Sequence, residues 1–240
     1  ALKGILELME DLKIDDLKKG RPQWLDQIQE WKSTTPLKYD QGSDVIKPQF
    51  VVEKLYELTK GDAIITTEVG QNQMWAAQYY HFNKPNHFIS SAGLGTMGFG
   101  LPAAIGAKAA CPDKMVIDIA GDGSIQMNIQ ELMTAIESKI DVKIVILNNQ
   151  NLGMVRQWQE LFYEKVYSFT NMENSPDFVK LAEAYGAKGL RCTRPDEVES
   201  VLSQGLNYKG TVVMDFVVDR EESVYPMVPA GGSITEMLLV

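Results

Sequence analysis

The chain has 240 residues, 45% of them hydrophobic, and a formal net charge of −9. This length and composition fit one large α/β domain, or one domain with a tail. The negative charge argues against a nucleic-acid partner, because no cluster of Lys and Arg compensates phosphate repulsion. No apolar run reaches about 18 residues, so we expect no membrane span. Cys111 and Cys192 are isolated, which favours a reducing compartment over a disulfide framework.

The first 47 residues differ from the rest of the chain. Residues 1–12 are typical of the last helix of a preceding domain, and residues 22–31 repeat apolar side chains at the spacing of a short amphipathic helix. Residues 33–44 are polar and rich in turn formers, as in a linker. We therefore expect a connector at 1–47, a main domain at 48–219 and a C-terminal arm at 220–240 that rests on another part of the protein.

Short apolar runs alternate with helical patterns after Ile46. A helix is predicted from Pro48 to Gly61, and another over 175–186 with Ser175 as its N-cap and Pro176 at its first position. Other helices are predicted at 71–80, 101–110, 125–138 and 195–206, and strands at 63–68, 87–90, 115–120, 142–147, 187–192 and 211–218. This alternation predicts an α/β fold, a doubly wound parallel sheet of six strands, with the helical connector before it and the extended arm after it.

The segment Gly-Asp-Gly-Ser at 121–124 lies where the third predicted strand ends, and Asn149 follows the fourth. Parallel strands present their carboxyl ends at one edge of the sheet, so Asp122 and Asn149 are expected to lie close together. One carboxylate and one amide oxygen suit Mg²⁺ that already holds phosphate oxygens. Gly121 and Gly123 would let the backbone approach a diphosphate, and Ser124 would begin a helix, whose N-terminus favours anions. The alternative is a tight turn and an unrelated Asn-Asn loop.

A second glycine pattern, Gly-x-Gly-x-x-Gly at 93–98, follows a predicted strand and precedes a helix. Asp118 lies 20 residues beyond its last glycine, so a nicotinamide-binding fold is a rival interpretation. Two features oppose it: the preceding strand is short and lies mid-chain, and Asp118 lies inside an apolar strand rather than at its tip. We expect these glycines to pack closely beside a cofactor ring instead.

The 27-residue step from Asp122 to Asn149 resembles the diphosphate motif of thiamine-diphosphate enzymes. Segments 69–78, 93–107, 121–124, 148–163 and 226–232 together resemble the acetohydroxyacid synthase (acetolactate synthase) family. The resemblance runs from about Ile46 to the C-terminus and is to the pyrophosphate-binding domain of the catalytic large subunit. It implies a transferase of branched-chain amino-acid biosynthesis.

The resemblance also implies roles for individual residues. Asp122 and Asn149 would bind Mg²⁺ through their side chains and Asn151 through its carbonyl, while Met154 and Trp158 would shape the substrate pocket. A core tryptophan is the alternative for Trp158. The residues expected to bind thiamine diphosphate are Gly70, Gln71, Asn72, Gly95, Met97, Gly121, Gly123, Ser124, Gly153 and Met154.

The implied reaction decarboxylates pyruvate and condenses the resulting carbanion with a second pyruvate or with 2-ketobutyrate. FAD, a homodimer or tetramer, a small regulatory subunit and a cytoplasmic location (plastid or mitochondrion in a eukaryote) follow from the same resemblance. The family's activating glutamate belongs to an N-terminal domain that is not in this chain, so no catalytic residue is assigned here and the chain is expected to form an incomplete active site. Glu68 is a poor substitute because it is expected on the diphosphate side.

Two other functions remain open. One is another thiamine-diphosphate enzyme, such as a glyoxylate carboligase, a pyruvate oxidase or a decarboxylase. The other is a binding module that holds the cofactor without turnover.

Overall fold

The computed structural model describes residues 2–10, 21–34 and 37–239. The chain divides between Tyr39 and Asp40 into two compact units. None of the helices in the described ranges combines the length and the apolar character needed to cross a bilayer.

The first unit contains helices α1 (Leu2–Glu10) and α2 (Arg21–Thr34). Both predicted helices are confirmed over the described residues, while residues 1, 11 and 12 of the first prediction lie outside them. Helix α2 buries none of its residues within this chain. Its two tryptophans, Trp24 and Trp31, meet edge to face with ring centroids 5.5 Å apart and stay more than half exposed.

The second unit is built on one six-stranded sheet, in which every neighbouring pair is parallel. Its spatial order, β2-β1-β3-β4-β6-β5, confirms the predicted doubly wound α/β architecture. The order reverses at β1, so the carboxyl ends of β1 and β3 border a crevice of the kind that binds ligands in such sheets. The strands are β1 (Ile64–Thr67), β2 (Phe88–Ser90), β3 (Val116–Gly121), β4 (Lys143–Asn148), β5 (Lys188–Cys192) and β6 (Val212–Val217).

Eight helices of this unit lie between or beside the strands in the described sequence. They are α3 (Pro48–Thr59), α4 (Gln71–Tyr79), α5 (Gly100–Ala110), α6 (Asp122–Ile125), α7 (Glu131–Glu137), α8 (Gly153–Phe162), α9 (Phe178–Ala184) and α10 (Val198–Asn207). Helices cover both faces of the sheet in a doubly wound fold, which explains why the central strands read as continuous apolar runs. All six residues of β4 are buried, and so are the first five of β3.

The predicted helix at 125–138 is wrong in its continuity and in its start. Helix α6 begins at Asp122 rather than Ser124, a 3₁₀ turn follows at Gln126–Asn128, and α7 starts only at Glu131. The Asn128 side chain donates to the Gly98 carbonyl at 2.8 Å. This tertiary bond to the glycine loop accompanies the tightened turn, and the apolar spacing could not reveal it.

The predicted N-cap of α9 is also wrong. Asp177 caps the helix, because its carboxylate accepts from the Val179 and Lys180 amides at 3.1 and 3.3 Å. Ser175 and Pro176 therefore lie before the helix. A carboxylate at the N-cap also suits the positive end of the helix dipole.

The C-terminal arm has an inner and an outer part. Residues 219–225 are hydrogen-bonded to side chains of α3, α4 and α8. Beyond them the chain turns back on itself, and Met227 and Leu238 form an isolated antiparallel bridge. The arm thus rests on the domain through its inner part.

Candidate functional site: a cavity at the sheet switch point

A cavity of about 280 Å³ lies at the carboxyl ends of β1, β3 and β4. The tertiary fold brings together here every residue predicted to bind the cofactor or the metal. These are Gly70, Gln71, Asn72, Gly95, Met97, Gly121, Asp122, Gly123, Ser124, Asn149, Asn151, Gly153 and Met154. They come from four stretches of the chain, 70–72, 95–97, 121–124 and 149–154, so the arrangement depends on the strand order.

Trp158 does not line this cavity. It lies on α8 beside a second cavity of about 830 Å³, where its ring meets Phe162 edge to face at 5.8 Å. Trp158 is 40% exposed, so it is not a core residue of this chain. Met154 lines both cavities, which makes them neighbours along one face of α8.

Asp122 places a buried carboxyl group in the first cavity. It is only 1% exposed, and its Oδ2 atom has no hydrogen-bond partner in the described part of the chain. Burial raises the pKa of Asp122 to about 7, although the amides of Asp122, Asn149 and Gly123 partly oppose the rise. A buried carboxylate with an unpartnered oxygen fits a cation, whose charge would favour the ionised form.

Asn149 is oriented by its neighbours. Its Nδ2 donates to Gln71 Oε1 at 3.0 Å, and its Oδ1 accepts from the Asn151 amide at 3.2 Å. The Asn151 side chain donates to the Asn149 carbonyl at 3.0 Å. Since the nitrogen side of the amide is engaged by Gln71, Asn149 Oδ1 is the atom left to meet a metal ion. A carboxylate, an amide oxygen and a carbonyl form a hard-oxygen donor set that fits Mg²⁺.

Two glycines keep the backbone close to this cavity. A Cβ atom on Gly123 would lie 2.6 Å from the Leu152 side chain, and one on Gly153 would lie 2.0 Å from Gln71 Oε1. Helix α4 begins at Gln71, so its free N-terminal amides border the same space. Backbone amides and absent side chains are the features that receive a diphosphate.

Asn72 is hydrogen-bonded to β3 and to the residue that follows β1, beside the cavity. Its Nδ2 donates to the carbonyls of Glu68 and Ile119, at 3.1 and 2.9 Å. Its donors are thus used within the protein, and contact with a ligand is left to its Oδ1 atom or its backbone.

Glu68 does not line the first cavity. Its carboxylate accepts from the amides of Gly98 and Leu101, at 2.7 and 3.1 Å, at the N-terminus of α5. Burial raises its pKa and these amides oppose the rise. Because a carboxylate already occupies the helix N-terminus behind the glycine loop, a dinucleotide diphosphate cannot bind there. Asp118 is fully buried in β3, so the second requirement of the rival interpretation also fails.

Sequence reasoning missed two residues that organise the site. Glu68 was considered only as an acid, and Gln157 was not considered at all. Gln157 is 0% exposed and hydrogen-bonded to Gln71 at 2.9 Å across 86 residues of sequence. The only local signal is a polar residue on the buried side of a helix, which does not identify its partner.

Comparison with known proteins agrees with this geometry. A family model described as "Thiamine pyrophosphate enzyme, C-terminal TPP binding domain" matches residues 68–216, more than half of the chain. The chain belongs to this family. The match begins at Glu68 and includes the loops around the first cavity up to Met154. A thiamine-diphosphate-binding domain is therefore established.

Within the family, the chain is similar to acetolactate synthases. It is 52% identical over 219 residues to the acetolactate synthase isozyme 3 large subunit of Escherichia coli, covering 90% of this chain and 38% of that protein. It is 48% identical over 242 residues to the large subunit of Buchnera aphidicola from Acyrthosiphon pisum, with coverage of 100% and 42%. The mitochondrial catalytic subunit of Saccharomyces cerevisiae is 48% identical over 225 residues, with coverage of 92% and 33%. The chain thus spans less than half the length of these relatives.

Proposed function

We propose that this chain is the part of an acetolactate synthase large subunit that holds thiamine diphosphate and Mg²⁺. The observation that carries the proposal is the convergence of thirteen predicted residues on one cavity, around a buried carboxylate oxygen with no partner. The identity of about half the residues with acetolactate synthase large subunits supports the choice of enzyme.

In this proposal the chain's residues bind and orient the cofactor. Asp122, Asn149 and the Asn151 carbonyl would hold Mg²⁺ beside the diphosphate, while Gly123 and Ser124 would offer backbone amides to its oxygens. Gly95 and Met97 also line the cavity and would lie beside a ring of the cofactor. Bound thiamine diphosphate would supply the nucleophilic carbon and the electron sink for decarboxylation of a 2-keto acid.

The substrate belongs beside α8. Met154 lines both cavities and Trp158 lines the larger one, so a 2-keto acid between them would reach the cofactor from the apolar side. Pyruvate, with a second pyruvate or 2-ketobutyrate as acceptor, is the proposed substrate pair. FAD, the activating glutamate, a homo-oligomer and a regulatory subunit are proposed for the complete enzyme, in the cytoplasm or in a eukaryotic organelle.

The decisive experiment is calorimetric titration of the chain with thiamine diphosphate, with and without Mg²⁺. We expect binding that requires Mg²⁺ and that Asp122→Ala weakens by more than about 100-fold, because a metal ligand contributes more than the supporting residues around it. Asp113→Ala, at an exposed aspartate, is the matched control and should bind as the unchanged chain does.

NADH is titrated in parallel. Binding of NADH without binding of thiamine diphosphate would contradict the proposal and revive the nicotinamide interpretation. The proposed metal site would be contradicted if the affinity for thiamine diphosphate changed neither on removal of Mg²⁺ nor on Asp122→Ala.

A further inference from the structure

A row of three side-chain amides connects the backbone of the C-terminal arm to the proposed metal ligand Asn149. Gln157 Oε1 accepts from the Val224 amide at 2.9 Å, and Gln157 Nε2 donates to the Val224 carbonyl, also at 2.9 Å. Gln71 Nε2 donates to Gln157 Oε1 at 2.9 Å, and Gln71 Oε1 accepts from Asn149 Nδ2 at 3.0 Å. Four hydrogen bonds thus form three consecutive links from Val224 to Asn149, the first of them double.

The row is shielded from solvent. Gln157 is 0% exposed, Gln71 3% and Asn149 5%. Water therefore cannot replace a lost partner easily, and a wrongly turned amide would leave buried donors or acceptors unpaired. Each amide is held to the orientation that its neighbour requires.

The orientation originates at the backbone. A side-chain amide can turn by 180° and exchange its oxygen and nitrogen, whereas a backbone N–H can only donate and a backbone C=O can only accept. The two bonds with Val224 therefore fix the oxygen of Gln157, which in turn fixes the nitrogen of Gln71. Gln71 consequently presents its oxygen to Asn149, and Asn149 must present its own oxygen on the opposite side of its amide.

This last orientation matters for metal binding, because a metal ion binds the amide oxygen and is repelled by the NH₂ group. The Glu222 carbonyl, which accepts from Gln71 Nε2 at 3.0 Å, gives the row a second backbone anchor in the arm. Gly153, one helical turn before Gln157, confines the row from the other side. A Cβ atom at Gly153 would lie 2.0 Å from Gln71 Oε1 and 2.7 Å from Asn149 Nδ2.

We propose that Gln157 is a positioning residue, which acts through Gln71 to hold the oxygen of Asn149 toward the metal ion. This inference rests on the proposed Mg²⁺ site and adds a role for the arm, whose backbone at Val224 sets the orientation of the row. Gln157 itself lies outside the residues that line the cofactor cavity.

The test measures Mg²⁺ affinity by calorimetry at saturating thiamine diphosphate. Gln157→Met keeps the size of the side chain and removes both hydrogen-bonding atoms. We expect about a tenfold loss of Mg²⁺ affinity, at the lower end of the 10–100-fold range for residues that support a metal ligand, because Glu222 still anchors Gln71. Gln157→Glu keeps an oxygen for Gln71 Nε2 and the Val224 amide, and its protonated form also keeps a donor for the Val224 carbonyl, so it should restore most of the affinity.

Gln78→Met is the matched control. Gln78 also donates to the arm, to the Tyr225 carbonyl at 3.0 Å, but has no hydrogen bond with Gln71. Gln78→Met should reduce thermal stability about as much as Gln157→Met does and leave Mg²⁺ affinity unchanged. Equal Mg²⁺ affinities for Gln157→Met and Gln78→Met would overturn the positioning role.

Asn149→Asp provides a second test, because either oxygen of a carboxylate can bind the metal ion. In this background Gln157→Met should no longer lower Mg²⁺ affinity, a non-additivity that a merely structural role would not produce. A tenfold loss that persists would overturn the inference. Absence of Mg²⁺-dependent binding in the unchanged chain would instead overturn the proposed function and the inference with it, so the two failures are distinguishable.

Discussion

At the scale of single residues, two buried carboxyl groups meet at the start of α5. Asp118 Oδ1 accepts from Thr66 at 3.1 Å, while its Oδ2 has no hydrogen-bond partner in the described chain. Burial raises the pKa of Asp118 well above its ordinary value, and the charge of Glu68 raises it further. Like charges in a low-dielectric interior cannot both stay ionised without cost, so Asp118 holds its proton more tightly in the folded state than in the unfolded chain.

Asp118→Asn should change how stability depends on pH. An aspartate with a raised folded pKa loses its proton more readily when unfolded, so the unchanged chain loses stability as pH rises from about 3.8 toward the folded pKa. The asparagine keeps the bond from Thr66 and removes this titration. We expect the stability advantage of the variant over the unchanged chain to grow steadily as the pH rises from acidic to alkaline values.

Urea unfolding of both proteins across pH 4 to 8 measures this difference. Asp113→Asn, at an exposed aspartate, is the matched control. A difference between Asp118→Asn and the unchanged chain that stays constant with pH would argue that Asp118 is ionised in the folded protein.

At the scale of elements, helix α5 shows how one helix uses two glycines differently. A Cβ atom on Gly100 would lie 2.3 Å from Asp118 Oδ1 and 2.6 Å from the Glu68 amide, because the helix start packs against the ends of β1 and β3. Gly106, on the exposed side of the helix, has nothing within 4 Å of such an atom. The first glycine is required by packing, and the second only adds flexibility to the unfolded chain.

Alanine at these two positions should therefore have opposite effects on unfolding free energy. Gly106→Ala should stabilise by roughly 0.5–1 kcal/mol, the usual gain from replacing glycine inside a helix. Gly100→Ala should destabilise by about 2 kcal/mol or more, since overpacking against backbone cannot relax through a side-chain rotation. Chemical denaturation of both variants tests the pair, and effects of the same sign would show that α5 can shift away from β1 and β3.

At the scale of the whole molecule, hydrogen bonds and ion pairs hold the inner arm (residues 219–225) against the domain that contains the site. Lys47 Nζ binds Asp219 and Glu222 at 2.8 and 2.5 Å, and Arg156 donates to the Glu221 carbonyl at 2.9 Å. Together with the bonds between Gln157 and Val224, these contacts join residues far apart in the chain. The residues beyond Tyr225 make few contacts of this kind and are mostly partly or fully exposed.

Two truncations separate the inner arm from the outer arm. A chain that ends at Tyr225 should keep an unfolding free energy within about 1 kcal/mol of the full chain. A chain that ends at Val218 should lose about 3 kcal/mol or more, because Arg156 and Gln157 are left buried with unpaired groups that cost roughly 1–3 kcal/mol each. Thermal and urea unfolding measure both, and equal stability of the two truncated chains would refute the division.

The sequence alone determined the strands, their parallel doubly wound arrangement and the placement of residues 121–124 and Asn149 at the cavity, while the other cavity residues were predicted from the resemblance to a known family. It could do so because buried strands appear as apolar runs, and because Asp122 and Asn149 directly follow two such runs. Glycine-rich loops can likewise be recognised from the local sequence, since each glycine marks a position that has no side chain.

Only the tertiary structure decided what the partners of the polar residues are. Glu68 accepts a hydrogen bond from the loop at the start of α5, about 30 residues away. Gln71 is hydrogen-bonded to Asn149 and Gln157, across 78 and 86 residues. It also decided where the predicted helix after Ser124 is interrupted, because Asn128 bonds to the glycine loop 30 residues away. A hydrogen bond between distant residues leaves no periodic pattern in sequence, since it depends on which strands become neighbours in the folded sheet.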